Sequence, residues 1–149
     1  MSDASDKLCF LVVDDQPLIT GALSMLLTSE NPDSEVFTAN SVDEARKLVH
    51  SHAPEADLLI LDLSMPGVTG TELMEEIVRI QPMLKILVVS GLVDQQSIMR
   101  VLQLGAAGFV PKSLDTEMLA SAIDFVLKGG VFIPSKLLAE SQRLGFFNR

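Results

Sequence analysis

Three short apolar runs each stop at a polar side chain, and that pattern limits the fold more than any other feature. Leu8-Cys9-Phe10-Leu11-Val12-Val13 ends at Asp14, Leu58-Leu59-Ile60-Leu61 at Asp62, and Ile86-Leu87-Val88-Val89 at Ser90. A strand with one wet face alternates apolar and polar residues. A run without alternation is buried on both faces, as in a parallel sheet covered by helices. Glu35-Val36-Phe37-Thr38 reads as a more exposed strand, and Phe109-Val110 as a short fifth. Helical spacing fills the gaps. Ile19, Ala22, Leu23 and Leu26 share one face, Leu73, Ile77 and Ile80 another, Ile98, Val101 and Leu102 a third, and Leu119, Ala122, Ile123 and Val126 a fourth. Ser41-Val42-Asp43-Glu44 has the form of a capping box opening the helix that carries Ala45 and Val49. Repeated switching between strand and helix period predicts an α/β fold: a doubly wound, five-stranded parallel sheet with helices on both faces.

Composition narrows the function. The 149 residues are 48% apolar, enough for one domain with a sizeable core. Eleven basic against twenty acidic residues give a net charge of −9. A nucleic-acid-binding surface needs the opposite sign, so none is expected on this chain. The single Cys9 excludes a disulfide framework and a cysteine-rich zinc site, and its place in an apolar strand marks it as a small buried hydrophobe. No run of ~18 apolar residues suggests a membrane span. The opening Met1-Ser2-Asp3-Ala4-Ser5-Asp6 is acidic and polar, unlike a signal peptide. A soluble, cytoplasmic protein is expected. His50 and His52 close a helix and are expected in solvent, with no partner at ligand spacing. Most of the methionines are expected in helix cores, and Met65 and Pro66 in the loop after Asp62.

The polar residues that interrupt the pattern all fall at strand ends. Asp14 and Asp15 follow the first strand, Asp62 the third, Ser90 ends the fourth and Lys112 follows the fifth. Adjacent parallel strands bring these side chains to one sheet edge, where doubly wound folds bind ligands. Three neighbouring carboxylates repel one another unless a cation neutralises them. A hard divalent ion with oxygen ligands fits, and Mg²⁺ in particular, which keeps waters and accompanies phosphate. Lys112 and the Ser90 hydroxyl then suit a phosphoryl oxygen.

These residues resemble the receiver domain of bacterial two-component response regulators. The resemblance rests on Asp14-Asp15, Asp62-Leu63-Ser64-Met65-Pro66-Gly67-Val68-Thr69-Gly70, Ser90-Gly91 and Gly105-Ala106-Ala107-Gly108-Phe109-Val110-Pro111-Lys112. With Val126-Leu127-Lys128-Gly129-Gly130, the sequence is most similar to the NarL/LuxR-type subfamily. The resemblance implies a flavodoxin-like strand order 2-1-3-4-5. It implies that Asp62 accepts a phosphoryl group from a sensor histidine kinase. Asp15 and Asp62 would be side-chain Mg²⁺ ligands, the Ser64 backbone carbonyl a third, and Asp14 would act through a metal-bound water or as a second ligand. Lys112 would hold a phosphoryl oxygen, and Ser90 with Phe109 would form the switch pair. Homodimers through helical faces are a further family-level expectation.

The same comparison divides the chain into a disordered segment 1–7, a receiver unit 8–130, and a linker or short C-terminal helix 131–149 with no output domain. Pro134-Ser135 would open that helix and Gly145 would stop it, with Phe146-Phe147 beyond. An independent output domain needs roughly 50 residues. The expected function is therefore the receiver part of a longer transcriptional regulator, touching DNA only through a domain absent here. The alternatives are a standalone receiver acting through protein contacts and, further off, an aspartyl-phosphate phosphatase. The phosphatase lacks its general acid, because Ser64 stands two residues past Asp62. The chain is therefore expected to be a phosphoacceptor that assists its own chemistry and not an enzyme. A flavin site lacks stacking partners, since there is no Trp or Tyr. Ser64 and Leu92 offer no carboxylate or amide to orient water, which predicts a phosphoryl lifetime of minutes or longer. Receivers commonly place Pro after the active-site Lys, with a cis bond. Here Pro111 precedes Lys112 and Ser113 follows, which leaves the local peptide geometry open.

Overall fold

A computed structural model describes residues 7–68, 71–91, 94–113 and 115–133. The expectations for residues 1–6, for Leu92 and for the helix from Pro134 lie outside these residues. Five strands alternate with five helices: β1 (Cys9–Val13), α1 (Pro17–Glu30), β2 (Glu35–Ala39), α2 (Val42–His52), a 3₁₀ turn (Ala53–Glu55), β3 (Leu58–Leu61), α3 (Glu72–Ile80), β4 (Ile86–Ser90), α4 (Gln95–Gln103), β5 (Gly108–Pro111) and α5 (Thr116–Leu127). All pairings are parallel, in the order β2-β1-β3-β4-β5.

The unbroken apolar runs have the expected cause. Leu11, Val13, Leu59, Leu61, Val88 and Phe109 point to one face, under α2, α3 and α4. Phe10, Val12, Leu58, Ile60, Leu87, Val89 and Val110 point to the other, under α1 and α5. Crossovers between parallel strands are right-handed. The chain steps from β1 out to β2 and then back past β1 to β3, so α1 and α2 lie on opposite faces. That reversal opens a crevice between the ends of β1 and β3, and Asp14 and Asp62 lie there.

Local chemistry starts the helices. Ser41, Asp94 and Asp115 cap α2, α4 and α5 by accepting the N–H groups of Glu44, Ser97 and Met118. The capping box differs from the expected form: the Glu44 carboxylate accepts from the N–H of Asn40, at 2.8 Å, one residue before the cap. Pro17 opens α1 without a side-chain cap. Lys85 ends α5 by donating from Nζ to the carbonyls of Val126 and Leu127.

Several expectations are corrected. In α1 the buried residues are Thr20, Leu23 and Leu27, while Ala22 is exposed. The apolar arc of this helix is wide, with Leu18 and Met25 on its outer side, so its period does not fix which part meets the core. In α3, Met74 is buried and Ile80 is exposed at the last turn. Met25, Met83 and Met118 are also exposed, and only Met65 and Met74 among the described methionines are buried. His52 is not simply solvated. Its ring stacks on Phe37 with centroids 3.9 Å apart, and Nδ1 pairs with Glu55 Oε1 at 2.7 Å. His50 is exposed as expected. No described peptide bond is cis, including the bonds on either side of Pro111.

Candidate functional site

The sheet pairings place every strand-end residue at one edge. Asp14 continues β1 far enough for its N–H to bond the Ala39 carbonyl, and the Asp62 N–H bonds the Val13 carbonyl at 2.9 Å. These backbone bonds hold the two carboxylates side by side, each 2% exposed. With the half-buried Asp15 they form a cluster in which one oxygen from each carboxylate lies within 4.8 Å of the other two. Lys112 follows β5, and its N–H bonds the Ser90 carbonyl. Its Nζ donates to Asp14 Oδ2 at 2.8 Å and to Asp62 Oδ2 at 3.2 Å. Asp62 Oδ1 accepts from Ser90 Oγ at 2.9 Å and from the Ser64 N–H at 3.1 Å. Phe109, one strand over from Val88, is fully buried beneath α4.

Asn40 and Thr20 belong to this site and were missed in the sequence. Asn40 Nδ2 donates to the Asp14 carbonyl at 2.8 Å and to Thr20 Oγ1 at 3.0 Å. Thr20 in turn donates to the Pro17 carbonyl. Together they brace the turn after β1, and the Gln16 N–H closes it on Asp14 Oδ1 at 2.9 Å. The available signal was position: Asn40 directly follows β2, so it shares the sheet edge with Asp14.

Burial pushes the Asp14 carboxyl above its ordinary value. The Lys112 and Gln16 hydrogen bonds pull it down by less, and the Asp62 charge adds to the rise. Burial also works against charge on the Lys112 amine. There the bond to Asp14 and the charges of both carboxylates outweigh it, so the amine is held above its ordinary value. The Asp14 side chain is 3% exposed and Lys112 is 25% exposed, so the carboxylate loses more of its hydration than the amine does. Lys112 therefore only part-neutralises a buried anionic cluster. Burial likewise pushes the Cys9 thiol up to about 11, with Glu55, Glu35 and Asp57 adding to the rise, so this cysteine stays an inert hydrophobe.

Such a donor set suits a hard divalent cation: three carboxylates and no soft ligand among them. The raised Asp14 carboxyl is the observation that fits it, because a group held unfavourably as an anion is one that a cation would relieve. This has a measurable consequence. A carboxyl whose folded pKa lies above its unfolded value of about 3.8 destabilises the fold when ionised. The penalty is absent below the unfolded value, grows as pH rises from that value toward the folded one, and is complete above the folded one. Asp14→Asn should therefore raise the metal-free melting temperature at neutral pH, with a gain that shrinks on acidification. Divalent cations should stabilise the variant less than the wild type. A metal-free variant that melts lower at neutral pH would contradict this account.

Comparison with known proteins agrees with the geometry. Residues 10–124 match the response regulator receiver domain family. The chain is 31% identical over 139 residues to a glycerol metabolism activator of Pseudomonas putida, covering 93% of this chain and 62% of that protein. It is 34% identical over 128 residues to the oxygen regulatory protein NreC of Staphylococcus carnosus, covering 85% and 58%. The chain thus spans about three fifths of these relatives. Among solved structures it is similar to a LuxR family DNA-binding response regulator from Silicibacter pomeroyi (28% identity, TM-score 0.73, 85% of this chain and 97% of that one). It is also similar to the isolated receiver domain of RcsB from Salmonella enterica serovar Typhimurium (27% identity, TM-score 0.76, 88% and 98%). Sequence, fold and strand-end chemistry lead to one conclusion: this chain belongs to the response regulator receiver family.

Proposed function

We propose that residues 8–130 form a phosphorylation-controlled switch in which Asp62 is the phosphoacceptor. The observation that carries this reading is the setting of Asp62: a buried carboxylate with Lys112 on one oxygen, Ser90 and the Ser64 N–H on the other, and two more carboxylates beside it. In phosphoryl transfer a carboxylate oxygen of Asp62 forms the new O–P bond. The P–N bond of a histidine kinase's phosphohistidine breaks, and the imidazole leaves with its electron pair and takes up a proton. The chain's own part is positioning and charge. Lys112 balances the anionic oxygens of the group being transferred, and the Ser90 hydroxyl changes acceptor from Asp62 to a phosphoryl oxygen. Asp15 and Asp62, with the Ser64 carbonyl, would hold Mg²⁺. Asp14, already paired with Lys112, would act behind them. Mg²⁺ when bound supplies further neutralisation of the phosphoryl charge.

Phe109 is the switch partner of Ser90 in this reading, and the chain assists its own phosphorylation without turning over an external substrate. The proposed setting is the cytoplasm, as part of a longer transcriptional regulator that reaches DNA through another domain. Among the described residues no helix is long and apolar enough to cross a membrane. Leu18 and Met25, both exposed on α1, offer apolar surface for a second copy. Intact-mass spectrometry after incubation with acetyl phosphate and Mg²⁺ tests the core of the reading. One added phosphoryl group is expected, absent when Mg²⁺ is chelated before the incubation and absent in Asp62→Asn. Modification that survives Asp62→Asn, or none in the wild type, would overturn it.

A further inference from the structure

Past α5 the backbone returns to the sheet and pairs with the outer edge of β5. The Phe132 N–H donates to the Ala107 carbonyl at 2.9 Å, and the Phe109 N–H donates to the Phe132 carbonyl at 3.0 Å. This is a parallel bridge opposite Gly108. Two glycines make room for it. A Cβ on Gly108 would lie 2.5 Å from the Phe132 carbonyl oxygen, and one on Gly130 would lie 2.4 Å from the Phe125 ring. The Phe132 side chain is half-buried against the core under α1 and α5.

Two hydrogen bonds and one half-buried ring are a light hold, at the low end of local stability in a folded domain. One of those bonds ends on the amide of Phe109. The same short stretch of β5 pairs with β4 through Val88–Phe109 and Ser90–Pro111. The carboxylate site and the edge pairing therefore grip opposite sides of one four-residue strand. The strap is docked in the same arrangement in which Phe109 is buried and Ser90 reaches Asp62.

We infer that residues 131–133 are a detachable β-strap whose docking on β5 is coupled to the state of Asp62, so that a phosphoryl group on Asp62 tightens the strap. The inference rests on the reading of Asp62 given above. A ligand that fastens Ser90 and Lys112 holds the end of β4 and β5, and with it the Phe109 amide that the strap needs. Coupling of this kind is reciprocal, so loss of the strap weakens binding at the site by the same factor. The strap runs parallel to β5, toward the edge that carries Asp62 and Lys112.

The test uses the full chain with Mg²⁺ and beryllofluoride, following backbone amide exchange and bound fluoride by NMR. Beryllofluoride should slow exchange at Phe132 and Phe109 by roughly fivefold or more. Phe132→Pro, which removes the donor N–H, should weaken beryllofluoride binding by the same factor. Gly108→Ala, whose methyl displaces the Phe132 carbonyl, should do likewise. If beryllofluoride binds the wild type while exchange at Phe132 stays unchanged and Phe132→Pro binds normally, the coupling is wrong and the reading of Asp62 stands. If beryllofluoride does not bind at all, both are overturned.

Discussion

Replacing Lys112 with Met should split two properties that the wild-type site holds together: Mg²⁺ binds more tightly while Asp62 is phosphorylated more slowly. The Lys112 amine sits 2.8 Å from Asp14 Oδ2 and 3.2 Å from Asp62 Oδ2, so it is a positive charge inside the space a divalent cation would share. Removing it takes away a like charge and leaves the carboxylates without their cation. Even with solvent screening, that favours divalent binding by roughly tenfold. Phosphoryl transfer responds in the opposite direction, because the group that balances charge on the transferred oxygens is gone. Losing one such preorganised donor slows a reaction by about 10²–10³-fold. Calorimetric Mg²⁺ titration and the rate of acetyl phosphate modification measure the two halves separately. A variant in which both fall together would make Lys112 a structural prop and not a phosphoryl-binding group. Metal-free stability should fall as well, and Mg²⁺ should restore more of it than it adds to the wild type.

The core of this site is legible in the sequence because its residues interrupt a strong pattern. Strands β1, β3 and β4 are buried on both faces, so their apolar runs are continuous and the first polar residue after each marks an end of the sheet. Asp14, Asp62 and Ser90 were legible for that reason, and Lys112 because it follows β5 in the same way. What stayed hidden depends on contacts that carry no periodic signal. Asn40 braces Asp14 across the gap between β2 and β1, a relation visible only once the strands are paired. The helix α1 buries Thr20 and Leu27 where spacing suggested Ala22 and Leu26, since its seven apolar residues form an arc too wide for spacing to say which part meets the core. The docking of Phe132 uses backbone N–H and carbonyl groups that every residue has. Its trace in the sequence is two glycines, at 108 and 130, whose need for open space appears only when the partner atoms are in place. The stacking of His52 on Phe37 is of the same kind, joining the end of α2 to the edge strand β2.

Phe109→Ala should produce the largest loss of stability of any single change near the site. The ring is fully buried, in the core that also holds Val88, Ile98, Val101 and Ala106. Truncation removes the transfer free energy of the ring and leaves a cavity, a loss of about 3–5 kcal/mol. For a domain of this size that corresponds to a fall in melting temperature of about 10 °C. Phe109→Tyr places a hydroxyl among apolar neighbours and should destabilise by about 1–3 kcal/mol if it finds no partner. Phe109→Leu keeps most of the volume and should lose less than about 1.5 kcal/mol. The Leu variant distinguishes a core residue from a switch, because it barely disturbs the fold. Ser90 reaches Asp62 without help from the ring, so acetyl phosphate should modify the Leu variant at nearly the wild-type rate. What should shrink is the response away from the site: amide shift changes in α4 and β5 on adding beryllofluoride with Mg²⁺. A Leu variant that responds as fully as the wild type would leave Phe109 a core residue only. The signal would then have to leave the site through the backbone of β5 itself.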